Sequence, residues 1–327
     1  MIHTDLCDVL GITHPIVQAG MARHGTSAGL VAAVSEAGGL GTLGCLSRPA
    51  GEAVAEIRAI RARTGKPFSV NFVLHRLDEE TFSACLAERV PVFTFFRGDP
   101  ATSTAIARAR DSGAKTIYQA TTVEEAIGAC RAGVDVLIAQ GMEAGGHMGP
   151  AAMTTIVPAV VAVAGGRPVL AAGGIVDGRG LAAALCLGAS GVLMGTRFLA
   201  TPEAPIDARD KNAILGAAPG STLASEMFDL IWGEEWPGVQ ARGLRNNLTA
   251  RWQGREKELR EVRAGALSDL QRAEQEGNTA EMIVLAGEGA GLIDSLLPAA
   301  QVVQGTVAEA ARILSDWGSR VTPPVSD

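Results

Sequence analysis

Eight short apolar runs, each separated from the next by a helical stretch, fill the first two-thirds of this 327-residue chain. The runs at residues 15–21, 40–44, 68–73, 90–95, 115–120, 134–140, 168–173 and 191–195 carry few charges and many branched side chains, the pattern of strands buried on both faces. Between them lie amphipathic or alanine-rich stretches at 27–36, 51–63, 79–87, 101–112, 123–132, 154–163 and 177–187. Thr122-Val123-Glu124-Glu125 reads as a helix start, with a capping hydroxyl and early acids. Gly113, Gly133 and Gly188 precede strands, where a helix C-cap belongs. Strand–helix alternation predicts a parallel sheet with right-handed crossovers, and eight strands favour closure into a TIM (β/α)8 barrel. In such a barrel the functional site lies at the C-terminal ends of the strands.

The pattern changes after Ala200. Residues 202–301 show no clear buried strand, and the charged stretch 251–276 reads as helical. The expectation is a small helical subdomain inserted after the eighth strand and covering the barrel mouth. The barrel itself would then be 1–201 and 302–320, with residues 306–317 as its last helix. The tail from Val321 onward is expected to be loose.

Charge and cysteine usage narrow the function classes. Net charge is −7 with no Lys/Arg cluster, which argues against nucleic acid. Five scattered cysteines without a C-x-x-C pair suggest reduced thiols in a cytoplasmic protein, and no zinc or other metal site. Each reads as a small buried hydrophobe, with Cys45 the exception because it follows a strand end. The first residues carry no signal-peptide pattern, and no apolar run is long enough to span a membrane. The expected partners are a small-molecule substrate and, in solution, a second copy as a homodimer.

The sixth apolar run opens into Gln140-Gly141-Met142-Glu143-Ala144-Gly145-Gly146-His147-Met148-Gly149-Pro150. Glycines here let a backbone approach a flat ligand, because no Cβ stands in the way. His147 is the one imidazole in that loop, and imidazole exchanges protons near neutral pH. The seventh strand ends in Ala171-Ala172-Gly173-Gly174-Ile175, with Asp177-Gly178-Arg179-Gly180 opening a helix, and the eighth in Met194-Gly195-Thr196-Arg197-Phe198. Barrels often hold phosphate between these two loops with backbone N–H groups and a helix N-terminus. Gly173, Gly174, Gly195 and Thr196 fit that role; tight turns are the alternative. Asn71, Gln119 and Gln140 are amides in or at the ends of apolar strands, paired either with a ligand or with a neighbouring strand. His14 falls at the entry side of the first strand and is set aside, while His24 and His75 fall in loops at the mouth. Gly287-Glu288-Gly289-Ala290-Gly291 lacks the preceding strand of a dinucleotide fingerprint and reads as a tight turn, facing the barrel mouth.

Together, Gln18-Ala19-Gly20-Met21, Phe68-Ser69-Val70-Asn71-Phe72, the His147 loop, Ala171-Ala172-Gly173-Gly174-Ile175 and Leu193-Met194-Gly195-Thr196-Arg197-Phe198 resemble the nitronate monooxygenase (2-nitropropane dioxygenase) family. The resemblance runs from about residue 5 to about residue 205 and returns weakly at 241–246 and 286–292. It implies an FMN-bound barrel that oxidises alkyl nitronates with O2 to a carbonyl compound and nitrite. It also implies residue roles. Backbone of Gly20 and Met21 would face the flavin ring, with Asn71, Gln119 and Gln140 as polar partners and Gly145 and Gly146 clearing space. Gly173, Gly174, Gly195 and Thr196 would hold the phosphate, and His147 would stand over the reactive face as base or electrostatic residue. Flavin-dependent enoyl-acyl-carrier-protein reductases share nearly all these motifs. The alternative function is therefore an FMN-dependent NAD(P)H reductase of an enoyl thioester or quinone. A barrel that binds a phosphorylated metabolite without flavin, and a barrel with no activity, are the remaining readings.

Overall fold

The computed structural model describes residues 2–21, 25–234, 236 and 238–321. Eight parallel strands, β1 (Ile16–Gln18), β2 (Gly41–Gly44), β3 (Phe68–Val73), β4 (Val92–Phe96), β5 (Lys115–Ala120), β6 (Val136–Gln140), β8 (Val169–Ala172) and β9 (Gly191–Met194), form one sheet in the order β1-β9-β8-β6-β5-β4-β3-β2. The two-residue strand β7 (Gly146–His147) lies outside this sheet. The ends of the sheet meet and make a TIM barrel. Leu40 N–H donates to the Ile16 carbonyl and Gln18 N–H to the Leu40 carbonyl, both at 2.9 Å. The side chain of Gln18, fully buried, completes the seam. Its Oε1 accepts from Thr42 N–H at 2.9 Å and its Nε2 donates to the Thr42 carbonyl at 3.1 Å. One side-chain amide thus takes the place of a strand pair.

Two apolar layers follow from the alternation of side chains along each strand. The inner layer fills the barrel with Val17, Leu40, Ile117, Val136, Ile138 and Leu170. It is plugged from the entry end by Leu6 and Leu10 of α1 (Asp5–Leu10). The outer layer joins the strands to the ring of helices α2 (Ala28–Glu36), α3 (Ala50–Arg61), α4 (Glu79–Ala87), α5 (Thr104–Asp111), α6 (Val123–Ala132), α7 (Met153–Val163) and α8 (Gly178–Cys186). Local chemistry starts two of these helices where the sequence placed their starts. Ser27 caps α2 by accepting from Leu30 N–H, and Thr122 caps α6 by accepting from Glu125 N–H.

After β9 come α9 (Thr196–Leu199), α10 (Ala208–Leu215), β10 (Thr222–Ser225), α11 (Met227–Trp232), β11 (Ala241–Leu244), α12 (Asn247–Trp252), α13 (Glu256–Glu276) and α14 (Ala299–Gly318). Helix α14 packs on α8 and α2 and completes the outer ring. The stretch 202–301 is therefore not purely helical, contrary to the sequence expectation. Strands β10 and β11 pair antiparallel, and β11 pairs antiparallel with β7, giving a second, three-stranded sheet. Each strand is four residues long and β11 carries a buried arginine, so neither shows an apolar run. The charged stretch 251–276 is likewise not one helix: it is parted at Gly254, whose φ of 77° breaks the helical path, and kinked again at Val262. No helix among the described residues is long and apolar enough to cross a membrane. His24 and residues 322–327 of the tail lie outside the described residues.

The seam makes a testable prediction. Gln18→Met keeps the volume but strands the buried Thr42 N–H and carbonyl, at about 1–3 kcal/mol for each unsatisfied group. The midpoint of urea unfolding should fall by a corresponding amount. An unchanged midpoint would mean that the Leu40 bridge alone closes the barrel.

Candidate active site

The C-terminal ends of the barrel strands open into a cavity of about 670 Å³, within the range of cofactor and substrate sites. All twelve residues singled out as site candidates line it: His147, Gly20, Met21, Asn71, Gln119, Gln140, Gly145, Gly146, Gly173, Gly174, Gly195 and Thr196. His75 does not line it. It stands behind Trp236, edge to face at 4.6 Å, and burial and then the Arg76 charge hold its pKa below the usual imidazole range. Cys45 is buried, and its contact with Cys85 together with burial pushes its thiol pKa well up, which suits packing and not nucleophilic attack. His14 also lies outside the lining.

Glycine is required here by geometry. A Cβ on Gly20 would lie 2.3 Å from the Asn71 Cβ, so the first and third strand ends approach as they do only because Gly20 has none. Gly173 and Gly174 have φ of 116° and 69°, a region that L side chains rarely adopt. A Cβ on Gly145 would fall 2.5 Å from the Gly287 nitrogen, so the His147 loop and the Gly287 turn touch backbone to backbone. Gly287 N–H donates to Thr196 Oγ1 at 2.9 Å, which ties that turn to the end of the eighth barrel strand. Gly287 and Gly289 both line the cavity, so the tight turn read from the sequence faces the mouth.

The helix N-terminus expected to help at the seventh strand end is already taken. Asp177 accepts from Arg179 and Gly180 N–H, and Gly178 N–H donates to Glu309 Oε2 at 2.8 Å. The three amides are satisfied by protein carboxylates. The first amides of α8 are therefore not free to receive an anion.

The amides have mixed fates. Asn71 Nδ2 reaches the Thr94 carbonyl of the neighbouring strand only at 3.4 Å. Gln140 Nε2 donates to the His147 carbonyl at 3.0 Å, while its Oε1 is buried without a partner. A buried acceptor of that kind is held at a cost unless a ligand or water donates to it.

His147 is held from every side. Its backbone pairs with Ala241 of β11, and Met148 N–H donates to the Gln240 carbonyl. Arg97 Nη2 donates to the Met148 carbonyl at 2.8 Å. The imidazole Nε2 lies 2.9 Å from Asp229 Oδ1 of α11, and the ring stacks on Trp236 with centroids 3.5 Å apart and planes 20° apart. Arg242, 5% exposed, donates from Nε to the Met142 carbonyl and from Nη1 to Thr222 Oγ1, and pairs with Glu288. Asp229, Trp236 and Arg242 were not found from the sequence. Asp229 had one signal, a lone acid in the apolar run Met227-Phe228-Asp229-Leu230-Ile231-Trp232; Arg242 falls in the weak return of the resemblance at 241–246, and Trp236 had no signal.

The electrostatics are one-sided. Asp210, Asp229, Glu234 and Glu274 line the cavity, and no Lys or Arg does so among the described residues. Burial and then Asp207 raise the Asp210 carboxyl above the usual range. An anion bound here would rest on backbone dipoles, His147 and oriented amides.

Arg242 provides a test of how the loop is fixed. Arg242→Met removes charge-assisted bonds of about 1.5–3 kcal/mol each. Amide hydrogen exchange across 141–148 should speed up by roughly tenfold or more while exchange in the barrel strands stays unchanged. Unaltered exchange in the loop would mean that the β7–β11 ladder alone holds it.

A sequence model of the nitronate monooxygenase family matches residues 3–84 and 78–309. The chain is 35% identical over 346 aligned positions to the (3aS,4S,5R,7aS)-5-hydroxy-7a-methyl-1-oxo-octahydro-1H-indene-4-carboxyl-CoA dehydrogenase of Mycobacterium tuberculosis, covering 94% of this chain and 96% of that protein. It is 35% identical to the nitronate monooxygenase of Paraburkholderia phytofirmans over 75% of this chain and 77% of the other. Among solved structures, FabK from Thermotoga maritima superposes with a TM-score of 0.87 at 34% identity, covering 98% of this chain and all of the other. The nitroalkane oxidase of Streptomyces ansochromogenes gives a TM-score of 0.82 at 29% identity, with 95% and 99% covered. The chain thus belongs to the nitronate monooxygenase family and is a flavin-dependent oxidoreductase.

Proposed function

We propose that this protein binds FMN at the strand ends and oxidises alkyl nitronates with O2, giving a carbonyl compound and nitrite. The observation that carries the reading is the immobilised imidazole: His147 is fixed at the edge of a glycine-cleared cavity by the second sheet, Asp229 and Trp236. The residues present fit a flavin. Gln140 Oε1 is an orphaned acceptor suited to a ring N–H. A Cβ on Gly20 would collide with Asn71, and side chains at Gly173 and Gly174 would strain the backbone, so the lining strand ends take their shape only with glycine there.

In this reading the backbone at Gly173, Gly174, Gly195 and Thr196 holds the phosphate. Gly20, Met21, Asn71, Gln119 and Gln140 contact the ring system, and Gly145 and Gly146 leave room beside it. FMN bound there would supply a two-electron acceptor that O2 can reoxidise. His147 removes the α-proton of a neutral nitroalkane, or balances the charge of a preformed nitronate. The apolar wall of Leu199, Ile206, Ile283 and Leu285 keeps water from the site.

A second reading is FMN-dependent chemistry at the α,β-bond of an acyl thioester, in the NAD(P)H-driven reducing direction or its reverse. The match across 96% of the mycobacterial CoA-thioester dehydrogenase, against 77% of the nitronate monooxygenase above, favours it. His147 would then deliver or remove the proton beside the thioester carbonyl.

The two are separated by mixing the purified holoenzyme anaerobically with propyl-2-nitronate, NADH, NADPH or butyryl-CoA. Bleaching of the flavin by the nitronate alone supports the first reading. Bleaching by NAD(P)H or butyryl-CoA, but not by the nitronate, supports the second, and no bleaching overturns both. Heat should release a yellow chromophore with one phosphate; release of FAD would overturn the FMN assignment. Gly174→Val, which puts a β-branched side chain at a φ of 69°, should weaken FMN binding at least tenfold in titration with an unchanged circular-dichroism spectrum.

A further prediction concerns the base. His147→Ala should keep FMN and lose about 10²–10⁴-fold in kcat/KM on neutral 2-nitropropane, the usual contribution of a general base. The loss on propyl-2-nitronate should be smaller, because that substrate has already shed its α-proton. Equal losses would make His147 a charge-positioning group instead.

A further inference from the structure

We propose that Asp229 is the positioning residue of this site: it fixes His147 as the Nε2–H tautomer, so that Nδ1 is the atom that exchanges the proton with substrate. The inference rests on the reading of His147 as the proton-transfer group.

The geometry begins at α11. This short helix buries Met227, Phe228, Leu230 and Ile231 in an apolar cluster, and Asp229 sits among them with its side chain 5% exposed. A carboxylate in such surroundings is expensive unless it is paired. Its pairing is with His147, Oδ1 to Nε2 at 2.9 Å. An ionised carboxylate only accepts hydrogen bonds, so Nε2 must carry the hydrogen. In the neutral ring this leaves Nδ1 with a lone pair, and in the cationic ring with the transferable proton. No described residue bonds Nδ1.

Trp236 supplies the second restraint. The indole stacks nearly parallel on the imidazole, which removes one ring face from any ligand and opposes the ring flip that would exchange the two edges. The Trp236 Nε1–H donates to Glu234 Oε2 at 3.1 Å, and Glu234 pairs with Arg76 at 2.6 Å on the β3–α4 connection, so the indole is itself anchored. With the face covered and Nε2 occupied, Nδ1 is the remaining edge atom able to move a proton. The second carboxylate oxygen, Asp229 Oδ2, is buried without a protein partner and belongs to a residue that lines the cavity. It stands ready to accept from an O–H or N–H of a bound ligand or water. The proton-transfer group and its positioning acid thus come from different parts of the chain, 82 residues apart.

The test uses holoenzyme labelled with ¹⁵N-histidine, with the His147 signals assigned by their loss in His147→Ala. The wild type should show the Nε2–H tautomer alone, and Asp229→Asn should introduce the Nδ1–H form. Turnover of 2-nitropropane by Asp229→Asn should fall roughly 10-fold or more in kcat, toward the ~10⁴-fold that an orienting Asp→Asn change can cost a base histidine, with KM changed less than threefold. Asp229→Glu should recover part of that loss. In the His147→Ala background, Asp229→Asn should cost less than twofold further. An Nδ1–H tautomer in the wild type overturns the proposal, as does an equal kcat loss from Asp229→Asn with and without His147. If Asp229→Asn fails to hold flavin, Asp229→Ser is carried through the same measurements. The tautomer signal does not depend on the substrate: if nitronate chemistry is absent, the spectra still decide the role of Asp229, and the kinetic arm is run with butyryl-CoA or NADH, whichever bleaches the flavin.

Discussion

A barrel of parallel strands exists only if its first and last edges meet, and here the meeting is narrow. Strand β1 has three residues and joins β2 through the Leu40 bridge and the amide of Gln18. Closure aims every strand in one direction, so all eight carboxyl ends crowd one rim. That crowding explains the glycines. Gly20 must pass Asn71 and Gly145 must pass Gly287, at separations that a single Cβ would prevent. Those omissions let the strand-end loops pack backbone to side chain and backbone to backbone around the cavity that they line.

The second constraint comes from the stretch between α9 and α14. It does more than cover the mouth. Strand β11 takes β7 into its own sheet and thereby fixes His147 at the backbone, Asp229 and Trp236 fix the imidazole, and Arg242 fastens the start of the same loop. The barrel offers a loop with an imidazole, and the later segment decides how that imidazole is oriented. Substrate preference within such a site can change through this segment while the glycines that line the cavity stay as they are.

Legibility in the sequence followed the range of the interactions. Strands buried on both faces leave apolar runs, and helix starts at Ser27, Thr122 and Asp177 leave local capping residues, so the barrel could be read from short windows. The glycine-lined loops were readable for the same reason, because a positive φ or a close approach demands a particular residue at one position. Asp229 and His147 are bound across 82 residues, and nothing in either neighbourhood encodes the other. Strands β10 and β11 hid because each is four residues long and the edge partner of β11 is a two-residue strand. Arg242, taken alone, resembles a surface cation, yet it is almost wholly enclosed by the carbonyl and hydroxyl oxygens that only the folded chain brings to it. The pairing of Gly178 N–H was not readable, because its carboxylate, Glu309, arrives from 131 residues downstream.

The bond from Gly287 N–H to Thr196 Oγ1 makes the strand-end loop and the later segment thermodynamically linked. A molecule that binds only when both walls are in place draws the equilibrium toward the docked arrangement by mass action, in proportion to RT ln(1 + [L]/Kd). Reciprocity then requires that anything loosening the segment also loosens the ligand, even when no contacting group has been altered. A ligand held between the two walls and the docking of the segment that orients His147 are in this way one equilibrium.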